Sequence, residues 1–158
     1  MTQHSVHHAT FTVARHYGAS PARVFAAFAD PVVKRRWFIE GEGWTIDEFT
    51  PAFMEGGSER SRFRFGDGPP MRNETVYHEI VPDERILLSY AMITDGKRIS
   101  VSLATITLSP AGAGTKLVYT EQSAFLDGAD QAAEREAGMR DLLETLAAEL
   151  DRQSAAAA

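Results

Sequence analysis

The side chains able to move protons or orient a ligand are few in this chain of 158 residues. Cysteine is absent, so a thiolate nucleophile, a disulfide or a cysteine metal site is excluded. In "GTKLVYTEQ" (114–122), Leu117, Tyr119 and Glu121 alternate and share one face of a strand. A carboxylate on an apolar face must be paired, or its pKa rises. Glu121 is therefore either a ligand-orienting group or general base inside a cavity, or the frayed end of a strand in water. Tyr77 and His78 are neighbours on a strand, so only one of them faces inward. Tyr90 shares a face with Ile86 and Leu88, which predicts an interior ring whose hydroxyl needs a partner. No residue is assigned a catalytic role, for there is no nucleophile elbow, P-loop or dinucleotide fingerprint. His4, His7 and His8 lack a carboxylate at ligand spacing, so neither a metal nor another cofactor is expected.

The charged stretches read as surface. Arg60, Arg62 and Arg64 alternate with Phe63 and Phe65 in "ERSRFRF", the pattern of a strand with one solvated face or a partner-binding strip. Lys34, Arg35 and Arg36 read as the wet side of a short helix. The formal net charge of −6 disfavours nucleic-acid binding, which depends on neutralising phosphates. No apolar run approaches the roughly 20 residues of a membrane span, and the N-terminus lacks the pattern of a signal peptide. The expectation is a cytoplasmic protein with no membrane or nucleic-acid partner.

These groups must be positioned by a β-rich scaffold. Residues 8–17 alternate as a strand, with Phe11, Val13 and Tyr17 on one face. The stretch "SPARVFAAFADPVVKRRWF" (20–38) then carries two helix starts, Ser20-Pro21 and Asp30-Pro31, and ends on Trp37-Phe38. The period returns to two, and strands are expected at 44–50, 57–65, 72–81, 85–93, 98–109 and 115–123, joined by turns such as "GDGPP" and "TDGK". The apolar phase in "RISVSLATITLS" moves from Ile99, Val101 and Leu103 to Ile106 and Leu108, which predicts a bulge near Ala104–Thr105. A long amphipathic helix is expected from about 127 to 152, with Asp127 as its cap and Met139, Leu142, Leu143, Leu146 and Leu150 as its apolar stripe. One domain over 8–152 follows, with residues 1–7 and 153–158 as flexible tails.

The order of elements and several motifs resemble the START-like, helix-grip (SRPBCC) superfamily, in the branch related to the C-terminal domain of the activator of Hsp90 ATPase. The motifs are "SPARVFAAFADPVVKRRWF", Gly56-Gly57 before a strand, "YHEIVPDERILLSY" (77–90), "GTKLVYTEQ" and "EAGMRDLLETLAAEL" (136–150). The resemblance implies an α+β fold, a curved antiparallel sheet of about seven strands wrapped around the C-terminal helix, with two short helices after the first strand. Two positions depart from the family pattern: Met139 follows Gly138 where relatives often carry tryptophan, and Glu121 stands where relatives often carry histidine.

A curved sheet cannot touch a straight helix everywhere, so one end of their interface is expected to stay open. Gly138 costs about 1 kcal/mol in a helix interior relative to alanine. Close approach to the sheet or room for a ligand would each offset that. Small residues near 129–139 and leucines at 142–150 place the looser end near Gly138. The expected lining is Trp37, Phe38, Phe63, Phe65, Tyr77, Tyr90, Tyr119, Glu121 and Met139. The corresponding function is binding of a small apolar or aromatic molecule. Two other readings stand beside it. One is a cyclase, dehydratase or hydrolase using Glu121 or a tyrosine. The other is a protein partner, such as a chaperone ATPase or a second copy of the chain, held on the outer surface.

Overall fold

The computed structural model describes residues 4–157. Seven strands form one antiparallel sheet: β1 (Val6–Tyr17), β2 (Trp44–Thr50), β3 (Ser58–Phe65), β4 (Met71–Val81), β5 (Arg85–Thr94), β6 (Lys97–Ala111) and β7 (Gly114–Leu126). Their spatial order is β1-β7-β6-β5-β4-β3-β2. The two strands that are consecutive at the start of the chain, β1 and β2, therefore lie at opposite edges. Helices α1 (Pro21–Ala29) and α2 (Pro31–Phe38) carry the chain between those edges. That is why two helices stand between the first and second strands.

The two helices are set by their caps. Ser20 Oγ accepts from the Arg23 amide at 3.3 Å and Pro21 begins α1. Asp30 ends α1 and caps α2, its Oδ1 accepting from the Val32 amide at 2.9 Å. Helix α3 (Ala132–Ala157) buries Met139, Leu143, Leu146 and Leu150. It begins five residues after Asp127, which is not its cap: Asp127 sits in a turn at φ 55° and accepts from the Ser5 amide at 2.9 Å, tying the start of β1 to the end of β7.

The expected bulge near Ala104–Thr105 is absent. Pairing of β6 with both neighbours runs in unbroken register through those residues, and the irregularity in β5–β6 pairing lies between Met92 and Ile93. Ser100, Ser102, Ala104, Ile106 and Leu108 all face inward, whereas Val101 and Leu103 are 43% and 38% exposed on the convex side. The apparent change of phase arose from treating every aliphatic residue as interior; here small and hydroxylated side chains occupy the inner face. Val32 likewise is exposed, and Lys34, read as solvated, is buried with Trp37.

Candidate functional site

The concave face of the sheet is zoned by register. Glu59, Thr75, Tyr90, Ser102 and Ser123 pair in succession across β3, β4, β5, β6 and β7, forming one polar row. Every one of them points inward, and all but the half-buried Tyr90 are buried. Four residues further along the strands, Ile86, Ile106 and Tyr119 pair in an apolar row that packs under the helices. Side chains within such rows lie close enough to interact.

Around the β7 end of this row stands Glu121, with no exposed surface. Its carboxylate accepts from Tyr119 at 2.6 Å, Tyr90 at 2.8 Å, Ser123 at 2.9 Å and Ser102 at 3.0 Å. Arg135 of α3 reaches down to it, with Nη1 3.4 Å from Glu121 and 2.9 Å from the Tyr90 hydroxyl. Its Nη2 donates to Ser100 at 2.8 Å and to Asp130. Burial above all pushes the Tyr90 and Tyr119 hydroxyls far above the ordinary tyrosine range; the charge of Glu121 adds to it at Tyr90, and Tyr90 and then Glu121 add to it at Tyr119, so both remain donors. A carboxylate offers about four lone-pair positions. Five donors already converge on this one, so Glu121 orients its neighbours and has no free lone pair for a substrate proton.

The β3 end carries a second buried pair. Lys34 Nζ of α2 donates to Glu59 Oε2 at 2.6 Å and to the Tyr77 hydroxyl at 2.7 Å. The Tyr77 hydroxyl in turn donates to Glu59 at 3.1 Å. Lys34 and Glu59 are each 6% exposed. The ammonium lies 4.9 Å from the Phe38 ring centre and 5.5 Å from that of Tyr77. Burial pulls the Lys34 pKa below its ordinary value, with Glu59 working against that shift.

Between these two pairs, with α3 above and the sheet below, lies a pocket of about 750 Å³. Trp37, Phe38, Phe63, Tyr77, Tyr90, Tyr119 and Met139 are among the residues that line it. Trp37 is 1% exposed and donates its ring N–H to the Ala27 carbonyl at 2.8 Å, so it is a fixed wall. Phe65 does not line the pocket: it is 55% exposed and packs on Trp44, with ring centres 5.0 Å apart. Pairing of β3 with β4 stops at Phe63, and Phe65 lies past the end of that pairing. Glu121 lies behind Tyr90 and Tyr119 and is not itself a lining residue. Of the neighbouring pair Tyr77 and His78, Tyr77 is interior, and His78 bonds Ser89 on the outside at 2.8 Å.

Gly138 decides between its two explanations. A Cβ added there would meet nothing within 4 Å, and Gly138 lines the pocket. Close packing against the sheet is therefore not what the glycine serves.

Lys34 and Glu59 escape a reading that assigns charge to the surface, and Ser102 escapes one that assigns hydroxyls to the outer face of a strand. The signal for Glu59 was available: it shares the inner face of β3 with Ser61 and Phe63, opposite Arg60, Arg62 and Arg64. Lys34 lies three and four residues before Trp37 and Phe38, on the same side of α2. Arg135 carried no comparable signal, because only tertiary placement of α3 brings it over the sheet.

A curved sheet gripping a C-terminal helix, with two short helices crossing from edge to edge, is the helix-grip fold. Residues 18–151 match the family described as activator of Hsp90 ATPase homolog 1-like protein, and the chain belongs to that family. Among solved structures, the protein Mll3558 from Rhizobium loti is 52% identical, over 92% of this chain and 99% of that one, with a TM-score of 0.86. An uncharacterised protein from Rhizobium leguminosarum is 38% identical, over 96% and 99% of the two chains, with a TM-score of 0.92. Protein CV1439 from Chromobacterium violaceum is 27% identical, over 88% and 94%, with a TM-score of 0.74. No curated protein matches the chain. Among the described residues no helix is long and apolar enough to cross a membrane, and no group of histidine and acidic side chains is disposed to hold a metal ion.

Proposed function

We propose that the chain binds a small, largely apolar or aromatic molecule between its sheet and α3, and holds it without chemical change. The supporting observation is the pocket of about 750 Å³ beside Gly138, where helix and sheet stand apart and a missing side chain leaves open space. That volume lies in the range of small-molecule sites, roughly 300–1,000 Å³. Its wall is mostly aromatic and aliphatic, with a few polar tips fixed by bonds to one another.

The reading is tested by native mass spectrometry of protein purified without additives and by a thermal-shift screen of lipids and aromatic polyketides. Ligand at about 100 times its Kd stabilises the folded state by about 2.7 kcal/mol. The expected outcome is a co-purifying mass or a stabilising compound, lost in Gly138→Phe, whose ring would occupy the pocket. A protein that carries no guest and responds to none of the compounds overturns the reading.

The family description favours a second reading, in which the chain modulates a chaperone ATPase. Arg60, Arg62 and Arg64 stand exposed on the outer face of β3 and would serve as the contact strip. Addition of the chain to purified Hsp90 would then change its ATPase rate, and Arg62→Glu would remove the change. A rate unaffected by the wild-type chain refutes it.

A further inference from the structure

Both cations that reach the pocket are already matched. Arg135 faces Glu121 and Asp130, with its Nη groups on Tyr90 and Ser100. Lys34 is matched by Glu59 at 2.6 Å. The acidic lining residues are the half-buried Asp130, beside Arg135, and the exposed Glu40, Glu134 and Asp141. A buried carboxylate needs a cation of its own. Here it would find none, and would sit among carboxylates.

Arg135 spends its four Nη–H donors on Tyr90, Glu121, Ser100 and Asp130. An ammonium has three N–H donors. Among the described residues the Lys34 ammonium has two hydrogen-bond partners, Glu59 and Tyr77, which leaves one donor on a side chain that is 6% exposed and lines the pocket. Around it stand the rings of Phe38 and Tyr77. A single fixed donor beside aromatic walls, on a pair with no net charge, fits an uncharged acceptor oxygen.

Building on the pocket reading above, we propose that the guest is an uncharged aromatic or alicyclic compound bearing a carbonyl group. Its oxygen accepts from the free Lys34 N–H, and the pocket discriminates against carboxylic acids of the same skeleton. Lys34 is thus a specificity-determining residue, with Glu59 and Tyr77 as the groups that position it.

The test uses three compounds of one skeleton: fluorenone, fluorene and fluorene carboxylate, titrated against the full chain. The expected order is fluorenone tightest, fluorene about tenfold weaker for loss of a charge-assisted hydrogen bond, and the acid weaker still. The double variant Lys34→Met/Glu59→Gln removes both charges together, which avoids stranding one of them in the interior. It should bind fluorenone and fluorene alike. A carbon-13 label on the fluorenone carbonyl supplies a readout on the wild-type protein that does not depend on any variant folding: its resonance should move downfield on binding. Equal affinity for fluorenone and fluorene, an unmoved carbonyl resonance, or acid binding that matches the ketone overturns the proposal and leaves the pocket reading standing. Failure of all three compounds to bind overturns the proposal, and the pocket reading then rests on its own screen.

Discussion

The two buried ion pairs at either end of the polar row solve one problem in different ways. Glu121 and Arg135 are bound into a net of hydroxyls, with Tyr90, Tyr119, Ser102 and Ser123 all donating to the carboxylate. Among the described residues Lys34 and Glu59 share only Tyr77, Glu59 also accepts from the Ala52 amide, and the lysine lines the pocket. In the first arrangement the carboxylate and all four Nη–H groups of Arg135 are taken, which fastens α3 to the sheet. The second keeps a donor in reserve. Arginine cannot shed its proton inside a protein, whereas a buried lysine can. One pair is therefore permanent, and the other can be neutralised at its cationic partner.

Removal of each acid separates the two. Glu121→Leu should have the largest effect, a loss of about 3–5 kcal/mol measured by urea denaturation, because Arg135 keeps its charge and four hydroxyls lose their acceptor. That deficit should not change between neutral pH and pH of about 10. Glu59→Leu should cost less, about 2–3 kcal/mol, since Lys34 can escape by deprotonating. Its deficit should shrink as pH rises. Lys34 already has a lowered pKa in the folded protein, against 10.5 as its ordinary value. In the window between those values the unfolded chain binds more protons, so stability rises with pH there, more steeply in the variant. Equal and pH-independent losses for the two variants would erase the distinction.

A third pair, at the margin of the fold, calibrates the other two. Glu149 accepts from Arg152 at 2.8 Å and from Arg36 at 2.7 Å. The Arg152 bond above all, then the Arg36 bond, against the opposing effect of burial, hold its carboxyl down from 4.5 to about 2. Its contribution is complete above 4.5 and disappears as pH falls through about 2. Both arginines are partly exposed, so the loss should be modest, about 1–2 kcal/mol. Denaturation midpoints of wild type and Arg36→Ala should converge at the acid end of that window. The smallest effect is a gain. Gly138→Ala should stabilise α3 by up to about 1 kcal/mol, read as a rise in Tm, because its Cβ meets nothing. A loss of stability there would mean that the space beside the glycine is occupied.

The fold was legible in the sequence because its signals are local. Period two in the strands, the Ser20-Pro21 and Asp30-Pro31 starts, and the leucine stripe of α3 each needed only neighbouring residues. The aromatic lining of the pocket was legible for the same reason, since Trp37, Tyr77 and Tyr119 follow strand and helix phase. The polar half of the site was not. Lys34, Glu59 and Arg135 come from α2, β3 and α3, and only long-range pairing turns them from surface charges into buried partners. Ser100 and Ser102 were passed over because hydroxyls inside a β6 strand read as outward-facing when Val101 and Leu103 stand beside them. Reading those two aliphatics as interior also produced the bulge that the sheet does not have.

The row from Glu59 through Thr75, Tyr90 and Ser102 to Ser123 has a bearing on how the chain folds. A slip of one residue between any two of these strands would turn one part of the row to the convex side and strand the remainder among hydrocarbon. An all-aliphatic inner face would tolerate such misalignment far better. The hydroxyls and carboxylates of the concave face thus act as a ruler for strand alignment, and the same groups that furnish the pocket make the correctly aligned sheet the one arrangement in which all of them are satisfied.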